Sequence, residues 1–492
     1  MWTRESLSEL VEGKLAGYLF IVVSNREPYI HTFAGSEICH QVPASGLTAA
    51  LDPVMRACGG TWIAHGSGDA DRQVVDSHNK TRVPPEEPKY ALKRVWLTKE
   101  EEDGYYFGFS NEALWPLCHI SYTRPLFDEA DWLTYKKVNQ VFAKAVLEEV
   151  GTRKVFVFVQ DYHLALVPRL VRQSNPNAVV AQFWHIPWPN REAFRICPWQ
   201  EEILDGLLGN HLLGFHIRYH CNNFLDTIDR AIEARVDWDR YEVSRGGKKT
   251  AVRPFPISVD FEELSRQAQQ REAGEEIASL RERLGLTDEL VGIGLDRIDY
   301  TKGIPDRFRA IDRFLDKYPQ YRGRVVFIQA AVPSRVHIDA YKRLNEEIDR
   351  AVEQINWKYS SGHWRPIIYL REHLPPVTLM ALRRMANFCV VSSLHDGMNL
   401  VAKEFVASRF DGDGVLILSP FTGAARELTE ALLVNPYATD HFAEAIKAAV
   451  EMPQEERQRR MLRMRETVRE NNVYKWAGDI ISELVRFESG GV

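Results

Sequence analysis

Short, almost wholly apolar runs, each closing on polar residues and followed by an amphipathic stretch, recur along this chain and restrict its architecture more than any other feature. The first series is "YLFIVVS" (18–24), "KVFVFVQDYH" (154–163), "AVVAQFWHIP" (178–187) and "LLGFH" (212–216). The second is "LVGIGLDRIDYTKG" (290–303), "RVVFIQAAVP" (324–333), "PIIYLRE" (366–372), "FCVVSSLHDG" (388–397) and "GVLILSP" (414–420). Helical spacing appears in "LTAALDPVMRA" (47–57) and "LALVPRLVRQ" (164–173). Strands apolar on both sides need cover on both sides, so the alternation predicts an α/β protein with parallel sheets. Pro254 and Pro256 in "VRPFPISVD" (252–260) separate the series. The division predicts two doubly wound, Rossmann-like domains over 1–255 and 256–475, with a helix over 476–492 packing back toward the first. A chain of 492 residues can give each its own core. One doubly wound domain with insertions is the competing architecture.

In doubly wound sheets, ligands bind beyond the carboxyl ends of the strands. Arg26, Asp161, His185, Arg297, Arg335 and Asp396 all stand at such ends, which points to a cleft between two domains. In "SSLHDGMNLVAKEF" (392–405), Asp396 and Gly397 lead into a helix-like run that carries Glu404. The N-terminus of that helix would offer N–H donors and a dipole to an anion such as a phosphate. Asp396 would accept hydrogen bonds from sugar hydroxyls and Glu404 from a ribose; equally, the residue types fit a helix cap and a solvated glutamate. Arg297 and Lys302 lie five residues apart after a buried strand, a planar fork and a point charge suited to one diphosphate. Tyr106, Trp115, Asp161 and Tyr162 combine flat apolar faces with an acceptor, as a sugar requires, although an ordinary core uses the same residues. His185, between a strand and two prolines, fits a core histidine as well as a ligand-binding one.

Other classes lose support. A net charge of −6 without a basic half gives nucleic acid no footprint. "YLFIVV" is too short to span a membrane, and the six scattered cysteines form no CxxC pair. A cytoplasmic protein without a disulfide framework is expected, and the Asn79-Lys80-Thr81 sequon is read as accidental. No Walker sequence or GxGxxG is present. The triplets Asp69-Ala70-Asp71, Asp237-Trp238-Asp239 and Asp411-Gly412-Asp413 sit in polar loops, so neither metal nor cofactor is expected.

Taken in order, "VSNR", "YYFGFSNEALWP", "QDYHL", "FWHIPWP", "DRIDYTKGIPDRF", "HDGMNLVAKEF" and "VNPY" resemble glycosyltransferase family 20, the trehalose-6-phosphate synthases. The resemblance implies a GT-B fold, two doubly wound domains facing a central cleft, and a retaining, metal-independent transfer of glucose from a nucleotide sugar, UDP-glucose first, to glucose 6-phosphate. It assigns Arg297 and Lys302 to the donor diphosphate and Gly46 to a loop closing on it. Asp396, Gly397, Met398, Asn399, Leu400 and Val401 fall at the donor sugar and phosphates, and Glu404 at the ribose. His185 matches a histidine reaching the donor 6-hydroxyl. Arg26, Tyr106, Trp115, Asp161, Tyr162 and Arg335 match the acceptor contacts, with Arg26 and Arg335 on its phosphate. Domain closure is expected to dry the site.

Donor-side matches are nearly complete, while the acceptor wall changes at one stacking position. Ser45-Gly46-Leu47 replaces Gly-Gly-Leu, His395 precedes the aspartate where an arginine is usual, and His65 stands where an acceptor-facing tryptophan is common. "NREPY" also resembles the related glucosylglycerol-phosphate synthases. A synthase using another phosphorylated acceptor, such as glycerol 3-phosphate, is therefore the first alternative, and a non-catalytic sugar-phosphate sensor is the second. A homo-oligomer is compatible with the sequence.

Overall fold

The computed structural model describes residues 2–43 and 46–489; Ala44 and Ser45, the latter part of the Ser-Gly-Leu departure, lie outside the described residues. The chain separates into two compact units, Met1–Ile257 with Val473–Val492, and Ser258–Asn472.

In the second unit all six strands are parallel. In chain order they are Leu290–Arg297, Val325–Val332, Ile367–Leu370, Phe388–Val391, Val415–Leu418 and Leu432–Leu433. Across the sheet the third is followed by the second, first, fourth, fifth and sixth, so the winding reverses between Leu290–Arg297 and Phe388–Val391. The apolar runs form these strands because both faces are covered: Ile293, Ile328 and Ile417 are fully shielded. Each such side chain contributes roughly 1.5–3 kcal/mol by leaving water.

The first unit repeats that winding. Its parallel strands in chain order are Tyr18–Arg26, Thr61–His65, Tyr90–Val95, Lys154–Gln160, Val179–Phe183, Leu212–Phe215 and Lys248–Pro254. The sheet again turns at its first and fourth members, Tyr18–Arg26 and Lys154–Gln160. Antiparallel strands extend both edges, Lys80–Val83 on one side and Glu242–Arg245 then Arg235–Asp237 on the other. The helix Val473–Ser489 belongs to this unit, and its Trp476 meets Phe183 edge-on at 5.2 Å between ring centroids.

Two local expectations change. The helix expected over 164–173 starts at Val167, after a separate 3-10 turn at Tyr162–Leu164, because Pro168 fits only the first helical turn. The Asp69-Ala70-Asp71 triplet is not a solvated loop: Asp71 is fully buried, pairing with the equally buried Arg94 at 2.8 Å and accepting from the His31 N–H at 2.8 Å.

Candidate functional site

A switch in winding leaves the loops after the first and fourth strands diverging, which opens a crevice at the carboxyl edge of the sheet. In the second unit, the loop after Leu290–Arg297 contains Asp299, whose carboxylate caps the turn Tyr300–Lys302 by accepting from the Thr301 N–H at 3.0 Å. Gly303 follows at φ +62°, and a Cβ there would lie 2.3 Å from the Ser392 carbonyl oxygen. Glycine is therefore required for the loops to touch. Both loops are stitched together: Leu394 N–H donates to the Thr301 carbonyl at 2.7 Å, and the Ser392 hydroxyl reaches the Gly303 carbonyl at 3.0 Å. Arg307, fully buried, donates to Ser392 Oγ at 3.1 Å and to Asp296 at 2.6 Å, anchoring the seam from below.

At the mouth of that crevice Lys302 Nζ donates to Asp396 Oδ2 at 2.6 Å. Asp396 also accepts from the Ser393 hydroxyl and the Asn399 amide, both at 3.2 Å. Asn399, at φ +78°, caps the nine-residue helix Leu400–Ser408 by accepting from the Ala402 N–H at 3.2 Å. Gly397 and Met398 precede that helix N-terminus, their backbone pressed on Gly423, where a Cβ would stand 2.1 Å from the Gly397 carbonyl oxygen. Arg297 at the end of its strand, Lys302, Asp396, Gly397, Met398 and Asn399 in the two loops, and Leu400 and Val401 at the start of the following helix thus flank one switch point. Glu404 lies on the same helix and accepts from Arg383, a partner with no sequence signature.

Arg335 follows the strand Val325–Val332, at φ +49° and almost wholly buried. Its Nη1 donates to Asp299 Oδ2 at 3.3 Å and also to Tyr341 Oη. Burial alone would raise the Asp299 carboxyl; Arg335, Arg297 and Lys302, aided by the Thr301 N–H, outweigh it and hold the group below the usual carboxylate range. One buried anion therefore compensates a cluster of cations.

The first unit builds an aromatic counterpart at its own switch point. Asp161 leaves Lys154–Gln160 at φ +71°, and its Oδ1 accepts from the N–H groups of Tyr162 at 2.9 Å and His185 at 3.2 Å. A π-helix over Asp103–Leu114, continued by Trp115–His119, brings Tyr106 and Trp115 to the same place. Arg26 Nη2 donates to the Tyr106 hydroxyl at 3.0 Å, and the Tyr162 hydroxyl donates to Asn111 Oδ1 at 2.9 Å. Asn111 returns its amide to the Tyr106 carbonyl at 2.6 Å, and Trp115 lies 5.9 Å from Tyr162 between centroids. Arg26, Tyr106, Trp115, Asp161 and Tyr162 are therefore one cluster. Asn111 is a member that sequence reasoning missed, since a lone asparagine in a helix carries no signal. His65 sits in register with Arg26 on the neighbouring strand, and burial lowers its pKa.

His185 Nε2 lies 2.9 Å from Gln160 Oε1; the amide oxygen accepts, which leaves Nδ1 as an acceptor. Burial, followed by the neighbouring His216 and His163, pushes its pKa well below the ordinary value, so the ring is neutral. Gly46 heads the helix Gly46–Cys58. His185 and Gly46 belong to the first unit, and Arg335 to the second, so the expected donor and acceptor sets are each divided between the units.

Among the described residues no group of three or more His, Cys, Asp or Glu side chains is arranged to hold a metal ion. The other two aspartate triplets have local duties: Asp237 accepts from two backbone N–H groups, and Asp411 and Asp413 pair with Arg409 and Arg457. Among the described residues, no helix is long and apolar enough to cross a membrane.

Comparison with known proteins converges on one group. The family model described as glycosyltransferase family 20 matches residues 18–486. A bifunctional trehalose-6-phosphate synthase/phosphatase of Thermoproteus tenax is 39% identical over 480 residues; the alignment covers 95% of this chain, which spans 64% of that protein's length. A trehalose-6-phosphate synthase of Mycolicibacterium vanbaalenii is 37% identical over 488 residues, covering 97% of this chain and 98% of the relative. Among solved structures, an alpha,alpha-trehalose-phosphate synthase (UDP-forming) from Burkholderia xenovorans in complex with glucose-6-phosphate superposes with a TM-score of 0.84 at 30% identity. That match covers 95% of this chain and 99% of the other. An E. coli trehalose-6-phosphate protein bound with UDP-2-fluoro glucose gives a TM-score of 0.84 at 31% identity, covering 95% and 98%.

Proposed function

Because the chain belongs to glycosyltransferase family 20, with the GT-B fold, we propose that it transfers glucose from UDP-glucose to glucose 6-phosphate with retention of anomeric configuration, giving trehalose 6-phosphate. The observation that carries this reading is the Lys302–Asp396 pair on the two loops flanking a single switch point, a cation and an anion held 2.6 Å apart where a doubly wound sheet takes its ligand. Lys302 and Arg297 take the donor diphosphate, and the N-terminus of Leu400–Ser408, with Gly397, Met398 and Asn399 before it, faces the phosphates and glucose. Asp396 accepts from glucose hydroxyls, Glu404 from the ribose and neutral His185 from the 6-hydroxyl; Gly46 closes on the donor. The acceptor lies on Tyr106, Trp115, Asp161 and Tyr162, with its phosphate on Arg26 and Arg335.

The chemistry needs no protein nucleophile. As the C1–O bond to the diphosphate breaks, the acceptor hydroxyl bonds to C1 from the same face, and the departing phosphate oxygen takes its proton. Arg297 and Lys302 stabilise the charge that develops on that oxygen, a preorganised electrostatic contribution. No metal is required for these roles.

One observation favours a second acceptor. His65 is paired in register with Arg26, so an imidazole stands beside the acceptor cluster where a stacking tryptophan is usual in the family, which suits a smaller acceptor such as glycerol 3-phosphate. Release of UDP from UDP-glucose, measured with glucose 6-phosphate, glucose and glycerol 3-phosphate in turn, tests both. Release with glucose 6-phosphate alone is expected; release with glycerol 3-phosphate alone transfers the assignment to the sister activity. Silence with all three, while UDP-glucose still binds, makes the protein a sensor.

A further inference from the structure

Glu404 is held in an unusual way. Arg383, on the helix Pro376–Met385, donates from Nη2 to Glu404 Oε2 alone. Arginine–carboxylate pairs frequently adopt a two-pronged geometry, in which both oxygens and two nitrogens take part. Here Arg383 Nε is buried without a hydrogen-bond partner, and Glu404 Oε1 has no protein donor among the described residues. A buried donor left unmet is costly. The one-pronged contact therefore keeps one carboxylate oxygen facing away from the arginine.

The arginine is itself braced. Arg409 spans the end of its helix, donating through Nη1 to the carbonyls of Arg383 and Ala386, and is clamped by the Asp411 carboxylate at 3.0 and 2.9 Å. On the other side the Ser408 hydroxyl donates to the Glu404 carbonyl at 2.7 Å. Asp411, Arg409, Arg383 and Glu404 form a continuous polar strut ending at one oxygen. Arg383 is 8% and Arg409 5% exposed, so the two cations are shielded from water and little screened, while Asp411 at the far end of the strut is exposed.

We propose that Arg383 is a positioning residue for donor recognition: it fixes the Glu404 carboxylate so that Oε1 accepts from the ribose hydroxyls of the nucleotide sugar. This rests on the reading of Glu404 as the ribose ligand, and the test separates the two. Steady-state KM and kcat are measured for UDP-glucose and for its 2′,3′-dideoxyribose analogue with the wild type, Arg383→Met, Arg383→Lys, Glu404→Gln and the Arg383→Met/Glu404→Gln double variant. Loss of one charge-assisted hydrogen bond typically weakens a site by about 10–100-fold. Arg383→Met is expected to raise the KM for UDP-glucose by about that factor with kcat within about twofold, and Arg383→Lys to recover part of it. With the dideoxy donor the wild type and Arg383→Met should have the same KM, and the double variant should be no weaker than Glu404→Gln alone. An Arg383→Met effect of equal size on both donors, or none on either, overturns the proposal. If Arg383→Met does not fold, Arg383→Lys carries the same comparison of donors. Should Glu404→Gln leave the KM for UDP-glucose unchanged, the ribose reading itself fails. Should it raise KM where Arg383→Met does not, that reading stands and only the positioning role falls.

Discussion

Removing the Lys302 ammonium separates catalysis from stability because of where that group sits. Lys302 and Asp396 keep 16% and 14% of their side-chain surface and meet at 2.6 Å. Breaking a fully buried pair costs about 3–5 kcal/mol, since the remaining charge is stranded. Here Asp396 keeps the Ser393 hydroxyl and the Asn399 amide, both at 3.2 Å, and some water. Lys302→Ala should therefore cost the fold only about 1–2 kcal/mol. Its effect on turnover is larger, because a donor aimed at developing charge is worth about 2.7–4 kcal/mol. At 1.36 kcal/mol per tenfold, kcat should fall roughly 100–1000-fold. Coupled detection of UDP release gives kcat, and a urea titration of the same preparation gives stability. Lys302→Arg, which keeps the charge but spreads it over a fork, should fall between. A folded Lys302→Ala protein that keeps more than a tenth of wild-type turnover would refute the placement of the diphosphate at this switch point.

Arg335→Ala should raise the KM for the phosphorylated acceptor by about 10–100-fold, the worth of one or two charge-assisted hydrogen bonds, and leave UDP-glucose binding unchanged; calorimetric titration of each substrate checks this, and a selective loss of donor affinity would reverse the assignment. Gly303→Ala places a Cβ against the Ser392 carbonyl in a left-handed conformation; the loops must part, so the thermal midpoint and turnover should fall together. His185 supplies a pH test. Its folded pKa lies below the unfolded one, so the unfolded chain takes up a proton near pH 6.5 that the fold refuses. Its contribution to stability is complete above that pH and declines as pH falls below it. His185→Gln should flatten the stability slope between about pH 6.5 and 5, and an unchanged slope would mean the ring is protonated in the fold.

How much of this could be read in the residues depended on burial. All nine apolar runs became strands, because a strand covered on both faces has no choice but to be apolar. Thr61–His65 and Tyr90–Val95 passed unremarked although both belong to the parallel core: the first begins and ends on polar residues, and Lys93 and Arg94 interrupt the second. Those charges are tolerated inside because Arg94 meets Glu27 at 2.8 Å as well as Asp71, pairings between distant positions that no local pattern announces. That the proposed site residues stand at or near strand ends was legible by position alone. Their supports were not: Asn111 under Tyr106, Asp299 under Arg335 and Arg383 beside Glu404 are joined only by folding. The π-helix over Asp103–Leu114 was equally hidden, since its aromatic-rich sequence matches neither helical nor strand spacing.

Two sheets wound alike, each with its own point of reversal, also shape what this lineage can become. Loops at one reversal can be rewritten while the other sheet, sharing no strand with it, keeps its register. On the proposed roles, acceptor preference can thus drift by substitutions around Arg26 and His65 while Arg297, Lys302, Asp396 and Glu404, encoded with the second unit, are inherited unchanged. Arg335 sets a boundary on that drift, because it is encoded with the second unit. A chimaera exchanging residues 18–257 with a relative would import a new acceptor surface, with Arg26, Gly46 and His185, and keep Arg335, to which we assign the acceptor phosphate. Recombination at that joint would therefore trade acceptors only among molecules that carry a phosphate.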